Sequence, residues 1–323
     1  MSSVLVQSLP PDESRGCIIN IVGWVGAAIS IHCVVLRIYS RLFITRSPGW
    51  DDAILVFAAV FKIINTALNT VSVSYGIGRH VYYLSDDDIV NTLYYESILR
   101  PIGIAAIFLP KLAVVILIIR LMGTAKRGVW FLYSVIGILF ITFALAIILF
   151  FAQCNPADHL WHPFSPADCF PSYVIDGSAY VAASWSAFTD FVLAAFPVTI
   201  FWNLQMKKSK KISIMLLMGL GFFATIAAIV KTTQIPKMHT TDATWDLFWL
   251  LLTNYIEADL VIMAACAPAL PKLALRILGR DTEESPKQDS HPYSIKPASH
   301  GYRAFDNRSD SAGIDNTRGD NAC

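Results

Sequence analysis

Four ionisable side chains stand where a hydrocarbon environment should exclude them. Lys62, Lys111, Asp190 and Glu257 each interrupt a long apolar run. An isolated charge at a bilayer centre costs ~3 kcal/mol or more, so each needs an opposite partner or a chemical task. A lysine can neutralise an anion, and two carboxyls in one enclosure can divide the roles of general acid and general base. Asp190 and Glu257 are therefore the candidate catalytic residues. Lys62, Asn65, Asn69, Lys111, Asp190, Asn254 and Glu257 are the candidate ligand-binding residues. Polar side chains also join helices by hydrogen bonds, and Asn65, Asn69 and Thr253 read more simply that way.

Spacing says how these groups are held. Lys62, Asn65, Thr66 and Asn69 fall at i, i+3, i+4 and i+7, one stripe of a helix. Thr253, Asn254 and Glu257 share another face, whereas Asp259 lies about 200° around from Glu257 and must address a different neighbour. At 1.5 Å per residue, Lys62 is ~15 Å beyond Asp52 and Lys111 ~13 Å before Arg120. Asp190 lies ~22 Å before Gln205, and Glu257 ~21 Å before Pro271. Pairing across helices inside a polar-lined cavity would neutralise them. Lys111 is also placed to bend past Pro110 toward the membrane surface, and Arg100 and Lys231 are expected to snorkel there.

The 323 residues are 55% hydrophobic and only 15% charged, with the apolar excess in uninterrupted runs. Soluble domains carry about 25% charged residues, so the fold class is an all-α membrane protein. Seven spans are expected: Cys17–Leu36, Ala53–Val73, Thr92–Ile119, Val129–Ala152, Ala179–Leu204, Ile212–Ile235 and Trp245–Leu270. The fourth, with only Ser134 and Thr142 as polar members, reads as lipid-facing scaffold. Thirteen Lys and Arg fall in the first, third and fifth connections and just after the last span, among them Lys207, Lys208, Lys210 and Lys211. That bias sets the amino terminus outside and the carboxyl terminus in the cytoplasm. Residues 1–16 form a short outer terminus with no cleavable signal, 17–279 the seven-helix domain, and 280–323 a polar cytoplasmic tail expected to be disordered.

Asp86, Asp87 and Asp88 read as a solvated helix cap. Cys154 and Cys169 share one outer loop and are the expected disulfide pair. Without a C-x-x-C pair or other ligand cluster, no metal or cofactor is expected. A net charge of +1 with no basic patch outside the inner connections gives no case for nucleic acid. The seventh span has no lysine for a Schiff base, so no retinal is expected. Motifs of metalloproteases, serine hydrolases and phosphate-binding loops are missing.

Several fragments together resemble a known family. They are Arg37-Ile-Tyr39-Ser-Arg41, Gly49-Trp-Asp51-Asp52, Cys154-x-Pro156 with Trp161 and Cys169, and Asp190 with Pro197. Asp242-x-x-Trp245, Glu257 and Cys266-x-Pro268 complete the set. This pattern, spread over Ile18 to Gly279, is similar to that of the fungal rhodopsin-domain integral membrane proteins. That family includes a satratoxin-cluster member and relatives of a pathogenicity-linked receptor-like protein. The resemblance implies a role beside fungal secondary-metabolite biosynthesis and no chromophore. The chain departs from the receptor-like members that bear an outer cysteine-rich module, since the sixteen residues before the first span hold no cysteine. Arg37, Arg41, Asp51 and Asp52 form a cytoplasmic cluster that clamps a turn by charge-assisted hydrogen bonds or meets a cytoplasmic partner.

Three functions fit these residues. The chain is read first as an accessory or binding component of a biosynthetic cluster, holding a lipophilic small molecule in the bundle. An intramembrane cyclase or isomerase using the buried carboxylates is the second reading, and a receptor-like signalling protein the third. The lipid bilayer is the expected partner, with plasma membrane and endoplasmic reticulum both fitting.

Overall fold

A computed structural model describes residues 11–44, 46–122, 126–163, 165–201, 208–235 and 242–269. Lys207, Lys272, Arg276 and Arg280 lie outside the described residues, as does the tail 280–323. The rest is seven helices: α1 (Gly16–Tyr39), α2 (Trp50–Tyr75), α3 (Asp86–Met122), α4 (Lys126–Ala152), α5 (Ser172–Phe201), α6 (Lys208–Gln234) and α7 (Ala243–Cys266). A π-helical turn, Ser40–Ile44, extends α1. All seven are long and apolar enough to span a membrane.

Local chemistry sets several helix ends. The Gly49 N–H donates to Asp52 Oδ2 at 3.1 Å, fixing the first turn of α2. That helix stops at Gly76, whose φ of 124° suits glycine, and a Cβ there would sit 2.5 Å from Leu84. Ser85 opens α3: its hydroxyl accepts from the Asp88 N–H at 3.2 Å and donates to the Asp88 carboxylate at 2.7 Å. Asp86, Asp87 and Asp88 occupy the first turn, where the helix dipole favours them. The third span thus starts at Asp86 rather than Thr92, because this cap extends it past the apolar run.

Contacts fix the order of the bundle. Successive helices pack side by side from α1 to α4, from α4 through α6 to α7, and α7 closes back on α1. Both α3 and α7 pack centrally: α3 lies against α2, α4, α5 and α7, while α7 lies against α1, α2, α3 and α6 and is hydrogen-bonded to α5. Half of the most apolar stretch of α3, α5 and α7 is buried, against 22% for α4. With the highest mean hydropathy, 3.0, and the least burial, α4 turns its surface outward as scaffold. Phe57, Phe140, Ile148 and Phe223, each about 60% exposed, belong to an apolar outer surface that suits acyl chains.

The two ends of the bundle differ. At the disulfide end, β1 (Cys154–Asn155) pairs antiparallel with β2 (Asp168–Cys169), and Cys154 is bonded to Cys169. Trp161 of this loop meets Tyr94 of α3 edge-on at 5.8 Å. Nearby, Trp245 lies between the Arg15 guanidinium and the His80 ring, each 4.0 Å away, and His80 also bonds Asp242. The opposite, arginine end carries Arg37, Arg41, Asp51, Asp52 and Arg120.

Candidate functional site

Every intramembrane charge anticipated from the sequence is buried, but they do not share one enclosure. At the arginine end, Arg37 donates from Nε to Asp52 at 2.8 Å, and its other nitrogens bond Asp51 and the Ala265 carbonyl. Arg120 reaches Asp51 at 3.5 Å and the Ser47 carbonyl at 3.3 Å, while Arg41 stands 3.9 Å from both aspartates. Together these groups tie α1, α2, α3 and α7. Arg37 and Asp51, each 1% exposed, form the buried centre of this knot, while the Arg120 side chain at its edge is exposed.

Higher in the bundle, Lys62 pairs with Asp259 at 3.1 Å and sits 4.4 Å over the Tyr255 ring. Ser30 donates to the same carboxylate at 2.8 Å. Gly26 makes the room, since a Cβ there would fall 2.0 Å from Asp259 Oδ2. Asp259 thus addresses a different neighbour from Glu257, as its helix angle requires. Its pairing with Lys62 was not legible, because residue spacing gives an angle around one helix but not the helix it faces.

A second network joins α3, α5, α6 and α7. Lys111 donates to Asp190 and Glu257, both at 2.9 Å, and to the Ser186 hydroxyl at 2.6 Å and carbonyl at 3.2 Å. Ser186 donates to Glu257 at 2.9 Å, and Lys231 bonds the other Glu257 oxygen. Two cations and two anions balance, and each is at most 7% exposed. Neither lysine snorkels. Lys231 stands near the end of α6 on an inward face shared with Ile235, which is 3% exposed, whereas Thr233 between them is exposed. The Lys231 side chain turns inward to Glu257, and its position along α6 did not reveal which face it occupies.

The cavity lies beside this network, in the half toward the disulfide. It is about 180 Å³ in volume and is walled by α2, α3, α4, α5, α6 and α7. Of the candidate binding residues, Asn65 and Asn254 line it; Lys62, Asn69, Lys111, Asp190 and Glu257 do not. Lys231 connects the two, bonding Glu257 below while forming part of the wall. Phe143, Phe150, Ile104 and Leu251 supply apolar surface. Among the described residues Glu96 is the one carboxylate on the wall, with Arg100 one turn further along α3. Sequence reasoning passed over Glu96 and set Arg100 at the surface. A signal existed: Glu96, Arg100, Gly103 and Ile107 recur at i, i+4, i+7 and i+11, one face of α3, and all four line the cavity.

At the rim, Cys154 and Cys169 sulfurs and a His159 nitrogen lie within 4.8 Å of one another. The two sulfurs are joined to each other, and a disulfide offers no thiolate to a metal.

The family model described as fungal rhodopsin domain matches residues 36–276, well over half of the chain. A SAT4 family membrane protein of Emericella nidulans is 24% identical over 241 residues, 73% of this chain and 57% of the relative. Fugralins biosynthesis cluster protein 2 of Gibberella zeae is 25% identical over 287 residues, covering 83% and 68%. Wortmanamides biosynthesis cluster protein C of Talaromyces wortmannii is 23% identical over 252 residues, covering 74% and 66%. The chain thus spans between 57% and 68% of the length of these relatives. No solved structure matches.

Proposed function

Starting from a chain that belongs to the fungal rhodopsin domain family, we propose that it is a multi-pass membrane component of a biosynthetic cluster that binds a lipophilic small molecule. Two relatives carry the names of biosynthesis cluster proteins, which supports the setting. The cavity carries the binding role: an apolar slot with few polar groups is the usual form of a small-molecule site. An engineered cavity of about 150 Å³ takes benzene, so this one admits one ring or a short chain, with the rest of a larger molecule projecting from it.

The basic connections favour an orientation with the amino terminus outside and the carboxyl terminus in the cytoplasm. The cavity would then open to the outer or lumenal half of the membrane, and the knot of Arg37, Asp51 and Asp52 would face the cytoplasm.

Deletion of the gene in its host, with metabolite profiling, tests the role. Complementation with wild type should restore the titre. Complementation with Ala182→Trp, which fills the slot, should leave it low without a new intermediate. Accumulation of one unconverted precursor would replace binding with catalysis. Glu96, which lines the cavity, would then be the acid to test, ahead of Asp190 and Glu257 in their closed network. An unchanged profile on deletion would remove both readings.

A further inference from the structure

Glu96 and Arg100 are oppositely charged, one helical turn apart, and line the same cavity, yet they do not bond each other. Such i, i+4 pairs on a helix normally meet. Here each side chain is drawn to a different neighbouring helix. Glu96 turns toward α2, where the Ser72 hydroxyl donates to it across a long 3.5 Å. Arg100 turns toward α4 and lies 4.1 Å over the Phe150 ring. Among the described residues, no acceptor and no carboxylate bonds the Arg100 guanidinium. A donor fork and an acceptor thus line one cavity without bonding each other. Across the cavity the Asn254 amide also finds no hydrogen-bond partner among the described residues.

Resting on the reading of the cavity as a binding site, we propose that Glu96 and Arg100 are its polar recognition pair. The ligand they select is a neutral amphipath ending in a group that both donates and accepts, such as a carboxamide. The amide N–H donates to the Glu96 carboxylate, and its carbonyl accepts from the Arg100 guanidinium. The hydrocarbon part lies on Phe143, Ile104 and Leu251. Charge decides for a neutral head over an anionic one. Glu96 and Arg100 sum to zero, as do the four groups of the adjoining network, so an added carboxylate brings an uncompensated charge into a low-dielectric space. A hydrocarbon leaves both groups unsatisfied.

The full chain in lipid nanodiscs tests this with 4-methylbenzamide, 4-methylbenzoate and 4-ethyltoluene, matched in size to the cavity. Binding is read by saturation-transfer NMR against the slot-filled Ala182→Trp protein as background. The amide should bind about tenfold more tightly than the hydrocarbon, the worth of one hydrogen bond to a charged group. Arg100→Met should lower that ratio severalfold by removing one of the two bonds, and Glu96→Gln should lower it less, since its amide oxygen still accepts. The probe series on the unsubstituted protein stands alone if either variant misfolds. Equal binding of amide and hydrocarbon would overturn the recognition pair while leaving the cavity a binding site. Tightest binding by the benzoate, strengthened in Glu96→Gln, would overturn it in favour of an anion site. If no probe distinguishes wild type from Ala182→Trp, the binding reading itself fails along with the pair.

Discussion

Lys111 and Arg100 are both cations of α3, eleven positions and ~16 Å apart, and both point into the bundle. Around Lys111 both carboxylates and Ser186 accept hydrogen bonds and every charge has an opposite, and no cavity of ligand size opens onto it. Around Arg100 the opposite charge is present but unbonded, and a cavity fills the gap. The comparison separates two uses of an intramembrane charge. A closed network fixes how four helices meet, whereas an open pair waits for something to complete it. Lys111 is fully buried and Arg100 half-buried, and completeness of bonding separates them further.

The largest expected effect lies on the closed side. Lys111→Met leaves Asp190 without its cation and Glu257 with only Lys231, and breaking a buried pair in this way costs about 3–5 kcal/mol. Thermal unfolding in detergent should show it, with Asp190→Asn in the same chain restoring part of the loss. An unchanged midpoint would sink the structural role of the network.

Removing the disulfide by Cys154→Ser with Cys169→Ser should cost about 3 kcal/mol for a closed loop of this size. Denaturant titration reads the loss, and limited proteolysis should cut within the loop at the cavity's end of the bundle. Gly26→Ala comes next: the new methyl would displace Asp259 from Lys62, for about 1–3 kcal/mol of overpacking. A wild-type unfolding curve for this variant would mean that the Lys62–Asp259 pair contributes little.

On the open side, Arg100→Met should change stability by no more than about 1 kcal/mol, since it removes no direct bond. A loss as large as that of Lys111→Met would erase the distinction. The smallest effect belongs outside the membrane, where Arg79 bonds Asp12 at 2.6 Å and 2.8 Å. That guanidinium holds the Asp12 carboxyl below the usual carboxylate range. A lowered value stabilises only above the ordinary pKa of 3.8 and is lost as pH falls below it. Unfolding midpoints should therefore be flat between pH 7 and 5 as far as this pair goes, and Asp12→Asn should lower them only slightly at pH 7.

Much of the fold was legible because apolar runs and their polar interruptions are local. Seven spans, the inward stripe of Lys62, Asn65, Thr66 and Asn69, and the Cys154–Cys169 bridge follow from spacing in one dimension. The site was less legible because spans that are apolar nearly all round carry little periodic pattern to fix their rotation. Lys62 could be given a depth but not Asp259 as its partner. Lys231 was misplaced because it lies on the inward face of α6, which its position near the helix end does not reveal. Glu96 and Arg100 were readable as a stripe with Gly103 and Ile107, but their failure to bond depends on what α2 and α4 offer them.

Lys231 belongs at once to the cavity wall and to the balanced network beneath it. The slot consequently rests on an ionic floor that cannot recede without stripping Glu257 of a partner. If the binding proposal holds, a relative with a bulkier ligand should have widened sideways, with smaller side chains at the positions of Phe143 or Phe150 and a cation kept beneath. Cargo size in such proteins would be written in the α4 aromatics and not in the depth of the chamber.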